Sequence, residues 1–157
     1  MSNQVLEKAI TFCLCLFFAQ ASYGLCIKSS KAYLRSKPSA NSQLKWVVGR
    51  YMPLVQVGKK GNWLQVADLD GERHWVYSAL LTQKFQCAVI KTERANIRRG
   101  PGSRFGFSDY RVALRYESFM RKEKKGNWYR LVNELGEVGW IHQSNLWLPL
   151  RKVQFSY

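Results

Sequence analysis

The chain repeats itself once, and no other feature of its 157 residues limits the fold as tightly. Residues 32–38 (AYLRSKP) match residues 95–101 (ANIRRGP) at an offset of 63. Residues 59–63 (KKGNW) recur identically at 124–128, and 75–81 (WVYSALL) match 140–146 (WIHQSNL), both at an offset of 65. The second copy therefore carries two extra residues somewhere between 101 and 124. Three matches in one order, one of them identical, mark a duplicated folding unit.

Each copy reads as short strands. No segment sustains a 3.6-residue apolar period, and Gly, Pro, Asn and Asp recur at the spacing of strand ends. In the first copy Leu64 and Val66 alternate with Gln65, Asp70-Gly71 makes a turn, and His74 to Tyr77 returns as a strand. In the second copy Tyr129 and Leu131, the turn at Leu135-Gly136, and Trp140-Ile141 do the same. The Gly-Asn of each KKGN stretch suits a tight turn, because both residues tolerate positive φ. Residues 98–110 (RRGPGSRFGFSDY) are expected to form a long Gly-rich loop, with a polar counterpart at 35–46. A unit of this size is close to the limit of what one small core can stabilise.

Ordered this way, the motifs resemble the bacterial SH3-like domain. The second copy, 89–147, carries Arg98, Gly100, Pro101, Gly102, Gly126, Trp128, Gly139, Trp140 and Leu146. The first has Lys37, Ser39 and His74 where the second has Gly100, Gly102 and Gly139, so its long loop is expected to follow a different path. The resemblance implies an all-β chain of two tandem small barrels, each an open barrel of five or six strands, over residues 25–82 and 86–148, with a tail at 149–157. It also implies an exported protein that attaches to the cell wall or binds peptide-like partners and is not an enzyme.

The residues before the first repeat support export. Lys8 precedes an apolar run at 9–19 (AITFCLCLFFA), followed by small residues at Ala19, Ala21 and Gly24. This is the layout of a secretory signal peptide over 1–24, with cleavage expected after Ala21 or Gly24. The alternative, an uncleaved anchor, falls short of the roughly 20 apolar residues that a span needs. A bulky Leu25 directly before Cys26 suits lipoprotein processing poorly. Cys13 and Cys15 leave with the leader, so the mature chain keeps Cys26 and Cys87 and no membrane span. In an oxidising compartment that pair reads as one disulfide, the alternative being two buried thiols.

Charge bears on partners, not on fold. The net charge is +15, with 10 basic and 3 acidic residues over 26–85 and 14 and 6 over 86–157. Arg98, Arg99, Arg104 and Phe105 lie on the expected Gly-rich loop, and Arg115, Arg121, Lys122, Lys124, Lys125 and Arg130 follow. These are either an ordinary solvated face or a surface for an anionic ligand, since guanidinium forks match carboxylate and phosphate. Trp63, Trp75, Tyr77, Trp128, Trp140 and His142 either pack in a core or line an aromatic groove for an extended ligand. If Leu64, Val66, Tyr129 and Leu131 face inward, Trp63 and Trp128 face out.

An enzyme needs a nucleophile beside a base. His74 and His142 are the two histidines, the cysteines are better explained as a bridge, and Asp68, Asp70 and Glu72 sit on a hairpin turn. No catalytic set, metal site or cofactor is expected. The expected partner is peptidoglycan or an extended anionic peptide of the periplasm or cell envelope. A protein–protein adaptor without wall binding is the alternative. Basic charge interleaved with aromatics also fits a single-strand nucleic-acid binder, a reading that export disfavours by compartment.

Overall fold

The structure is a computed structural model that describes residues 24–149. The expected leader over 1–24 thus lies almost wholly outside the described residues, as does the tail beyond Pro149. Among the described residues fourteen strands make two seven-stranded antiparallel sheets. The first holds β1 (Gly24–Ile27), β2 (Lys31–Arg35), β3 (Leu44–Gly49), β4 (Pro53–Lys60), β5 (Trp63–Ala67), β6 (Arg73–Tyr77) and β7 (Leu81–Thr82). The second holds β8 (Cys87–Ile90), β9 (Arg94–Arg98), β10 (Phe107–Leu114), β11 (Ser118–Lys125), β12 (Trp128–Asn133), β13 (Gly136–His142) and β14 (Leu146–Trp147). The orders are β3-β2-β6-β5-β4-β1-β7 and β10-β9-β13-β12-β11-β8-β14. Shifting every number by seven converts one into the other, so the sequence repeat is a repeat of topology.

Alternation sets which residues enter each core. Leu64, Val66, Val76, Ala32 and Leu34 point into barrel 1, and Tyr129, Leu131, Ile141, Ala95 and Ile97 into barrel 2. The two KKGN turns place Gly61 and Gly126 at φ +55 and +54. Asn62 and Asn127 keep negative φ; their carbonyls accept from Ser78 and Gln143 at 2.9 and 2.8 Å instead. Among the described residues the non-glycine positions at positive φ are Tyr51 and Tyr116, at 69° and 70°, which occupy equivalent corners of the two copies.

Two expectations about loops are corrected. The Gly-rich loop is shorter than 98–110: Arg98 closes β9 and Phe107 already pairs with it in β10. Likewise the counterpart at 35–46 gives way to β3 at Leu44. The irregular backbone is confined to 36–43 and 99–106, and the rest of each polar stretch is edge strand. The two loops also take the same path. Ser36 donates to Gln43, Ser39 to Lys37 and Ser42 to Ser39, while Arg99 donates to Gly106, Gly102 to Gly100 and Phe105 to Gly102. Gly100 and Gly102 have ordinary φ, so backbone conformation does not demand them. A Cβ on Gly100 would lie 2.5 Å from the Phe105 ring. Glycine is there to seat that ring; barrel 1 has Ser42 instead and admits Lys37 and Ser39.

The two-residue insertion lies in β10. Pairing with β9 jumps from Phe107↔Arg98 to Val112↔Asn96, while β3 passes the same stretch from Leu44↔Arg35 to Val47↔Tyr33. Gly139 answers a different need. At φ +127 it sits at a register shift between β12 and β13, and a Cβ there would lie 2.5 Å from the Arg98 carbonyl. His74 takes the same position in an unshifted strand and turns inward.

The barrels are joined side by side. Cys26 and Cys87 form a disulfide with Cα atoms 6.0 Å apart, tying β1 to β8. Val89 and Trp147, paired with each other in barrel 2, pack against the core of barrel 1. Each barrel also reaches a corner arginine toward the other's hairpin. Arg115 meets Asp70 at 2.6 Å, and Arg50 meets Glu134 at 3.7 Å. Tyr116 reinforces the first contact by donating to Asp70 at 2.6 Å and meeting Trp46 edge-on at 5.3 Å.

Candidate functional site

The outer face of barrel 1 carries an open cleft of about 570 Å³ lined by Tyr33, Arg35, Pro38, Ala40, Trp63, Tyr77 and Leu80, together with Ser39. Its walls follow from strand alternation. In β5 and β6 the partners of the inward Leu64 and Val76 are the outward Trp63 and Tyr77, which pair in register and meet edge-on at 5.6 Å. From β2 come Tyr33 and Arg35, outward neighbours of the buried Leu34. Tyr33 and Tyr77 are 44% and 41% exposed, so each offers a ring surface to solvent.

The Arg35 guanidinium lies 5.7 Å from the Tyr33 ring and donates to the Ser42 carbonyl at 2.7 Å. That bond fixes the loop carrying Pro38 and Ala40 as the far wall. Arg35 has no carboxylate partner among the described residues, which leaves its remaining N–H groups for a ligand. The arrangement suits an extended ligand that stacks rings or apolar groups against Tyr33, Trp63 and Tyr77 and places a carboxylate by Arg35.

Barrel 2 presents the same frame with different chemistry. Trp128 pairs with His142 and meets it edge-on at 5.2 Å, and Arg98 donates to the Phe105 carbonyl at 3.1 Å. Where barrel 1 has Tyr33, Tyr77 and Leu80, the repeat places Asn96, His142 and Asn145. The Ser144 amide donates to His142 Nδ1 at 3.3 Å, and the Ser144 hydroxyl is 2.8 Å from the same nitrogen. This face is polar where the barrel 1 cleft is aromatic.

The candidate residues thus separate into groups. Trp63 and Tyr77 come together in barrel 1, and Trp128 and His142 in barrel 2. Trp75 faces outward beside Arg35. Trp140 also faces outward, but it is only 6% exposed, with the Lys125 ammonium 5.7 Å from its ring, so it presents no free ring face. Arg130 is held by Glu123 and Glu137 at 3.1 and 3.0 Å. The Lys125 ammonium and Arg130 together hold the Glu123 carboxyl below the usual carboxylate range. Arg121 lies against the disulfide seam, where burial lowers its basicity. Arg98, Arg104 and Phe105 stay together around the loop of barrel 2, while Arg99 pairs with Asp109 at 3.3 Å. Tyr33, Arg35 and Pro38 did not figure among the sequence candidates. The signal was present, since Arg35 and Pro38 repeat as Arg98 and Pro101.

Among the described residues no group of three or more His, Cys, Asp or Glu could hold a metal ion, and no helix is long and apolar enough to cross a membrane. His74 lies in the barrel, 2.8 Å from Asp68.

The bacterial SH3 domain family matches this chain twice, over residues 28–83 and 91–147. No curated protein matches it. Among solved structures it is similar to NlpC2 from Trichomonas vaginalis, at 15% identity and a TM-score of 0.37, covering 87% of this chain and 52% of that one. It is also similar to an NlpC/P60 family protein from Bacillus cereus, at 13% identity and a TM-score of 0.38, covering 80% of this chain and 56% of that one. The chain spans about half the length of these proteins. Likeness at this level assigns no activity.

Proposed function

From a chain that belongs to the bacterial SH3 domain family, with two copies bound by a disulfide, we propose a non-enzymatic, exported binding protein of the cell envelope. Its ligand is peptidoglycan or an extended anionic peptide, held in the aromatic cleft of barrel 1. The observation that carries this reading is the meeting of Tyr33, Trp63 and Tyr77 with the uncompensated Arg35 around one open cleft. The disulfide fits a compartment outside the cytoplasm.

In this reading Trp63 and Tyr77 hold the ligand by stacking, and Arg35 fixes its carboxylate and thereby its direction. Binding of the full chain to purified sacculi tests it, with Trp63→Ala and Tyr77→Ala as variants. Each is expected to weaken retention about tenfold or more, the scale of an aromatic anchor, with the melting temperature nearly unchanged. Retention equal to wild type in both variants would rule out the cleft. Retention of a discrete envelope protein, with no binding to sacculi, would assign the same cleft to an adaptor.

A further inference from the structure

Barrel 2 carries a second surface that the barrel 1 cleft does not use. Arg98 and Arg111 both lie against the ring of Phe107, with guanidinium carbons 4.5 and 6.0 Å from its centroid. One loop turn away, Arg104 lies 5.2 Å from the ring of Phe105. None of these three arginines has a carboxylate partner among the described residues, whereas Arg50, Arg99, Arg115 and Arg130 all do. Three like charges without a counter-ion repel one another, and an anionic ligand relieves that repulsion.

The duplication supplies an internal control. Barrel 1 keeps Arg35 for Arg98 but has Asn41 for Arg104, Leu44 for Phe107 and Trp46 for Arg111. The shared arginine braces the loop in both copies through its bond to Ser42 or Phe105. The two further cations and both phenyl rings belong to barrel 2 alone, on or just before β10, the strand that gained two residues. A brace needs one arginine; the other two have no structural bond to explain them.

We propose that the Arg98–Arg104–Arg111 surface of barrel 2 binds a base-free polymer of phosphodiesters, such as a polyol-phosphate chain of the envelope. A tetrahedral phosphate directs its oxygens to different sides and can bridge two guanidinium groups, whereas a planar carboxylate is satisfied by one fork. Repeated charge on the polymer matches repeated charge on the surface. Nucleobases are disfavoured, because two guanidinium groups already compete for the Phe107 ring and the Phe105 ring is seated on Gly100 and Gly102.

The test measures binding of the full chain to immobilised poly(glycerol phosphate) across a salt series. Polyglutamate and single-stranded DNA of similar charge serve as comparison polymers. The variant is Arg104→Asn with Arg111→Gln, leaving Arg98 as the loop brace. Lys59→Gln with Lys60→Gln removes two exposed charges from barrel 1 as the control. The barrel 2 variant is expected to weaken binding at low salt roughly 10- to 100-fold and to reduce the salt slope by about one per lost contact. The control should change it far less, and Trp63→Ala should leave it unchanged, which separates this surface from the cleft. Wild-type binding by the barrel 2 variant would overturn the proposal. So would an equal loss in the control, equal binding of polyglutamate, or tighter binding of DNA.

Discussion

The two barrels hold one loop with two chemistries. In barrel 1 the Ser42 hydroxyl donates to the carbonyls of Lys37 and Ser39 at 2.9 and 2.8 Å. In barrel 2 the equivalent residue is Phe105, whose ring seats on Gly100 and Gly102. The backbone bonds are the same in both. A duplicated barrel can therefore change what its loop displays without changing the loop's path: barrel 1 shows an aromatic cleft, and barrel 2 shows cations on phenyl rings. The interface differs in the same way. One corner is closed by Arg115, Tyr116 and Trp46 around Asp70, the other by the longer Arg50–Glu134 pair.

The largest effect is expected where the barrels are tied together. Cys26→Ser with Cys87→Ser opens a 61-residue separation, and the chain-entropy account of such a bridge gives about 4 kcal/mol. Because Val89 and Trp147 of barrel 2 pack on the core of barrel 1, thermal unfolding of the variant should remain a single transition at lower temperature. Two separated transitions would show that the disulfide, not shared packing, makes the barrels one cooperative unit.

The hairpins come next. Asp68 is buried and accepts from the amides of Asp70 and Glu72 at 2.9 and 3.0 Å, with His74 Nε2 at 2.8 Å. Its counterpart Asn133 accepts only from the Leu135 amide, at 2.9 Å. Asp68→Ala is expected to cost about 3 kcal/mol, because it leaves buried partners unmet, and Asn133→Ala about 1 kcal/mol. Chemical denaturation of both variants checks the ratio; equal costs would mean that the Glu72 and His74 contacts add nothing.

The loop substitution itself can be tested by a cycle. Gly100→Lys should cost about 1–3 kcal/mol by overpacking against Phe105, and much less in a Phe105→Ser background. Additive costs would break the claim that glycine serves the ring.

The architecture was legible in the sequence because topology repeats with the motifs. Leu64, Val66, Tyr129 and Leu131 do face inward, and Trp63 and Trp128 do face out, since period-two alternation leaves no other choice once the hairpins are placed. The pairing of Cys26 with Cys87 was legible too. What stayed hidden depended on side chains meeting across the fold. Glycine reads as backbone freedom, so Gly100 suggested a different loop path, when its cause was a ring five residues later. A run of basic residues reads as one surface, yet Arg115 belongs to the interface and Arg130 to a carboxylate pair. Trp140 stayed open between core and groove because nothing in its own strand shows the lysine beside it. The Arg-Tyr pairs at 50–51 and 115–116 recur at the same offset of 65, but the positive φ of Tyr51 and Tyr116 and the role of the pairs at the barrel corners are tertiary facts.

The smallest effect isolates the inserted segment. Tyr110 lies in the stretch of β10 that barrel 1 lacks, and its hydroxyl donates to Glu117 at 2.7 Å. That bond, with burial and the nearby negative charge, raises its pKa to about 12. The folded state thus favours the protonated phenol. The stabilisation is fully present below the ordinary tyrosine pKa near 10 and is lost as pH rises from there through about 12. Tyr110 is 41% exposed, so solvent screening keeps the effect on stability small. Spectroscopic titration reads it more directly than unfolding does. The Tyr110 phenol should ionise well above the ordinary tyrosine range, and Glu117→Gln should move that step down. A late step that persists in the variant would mean that burial alone protects the phenol, and that the insertion is held by packing, not by the Tyr110–Glu117 bond.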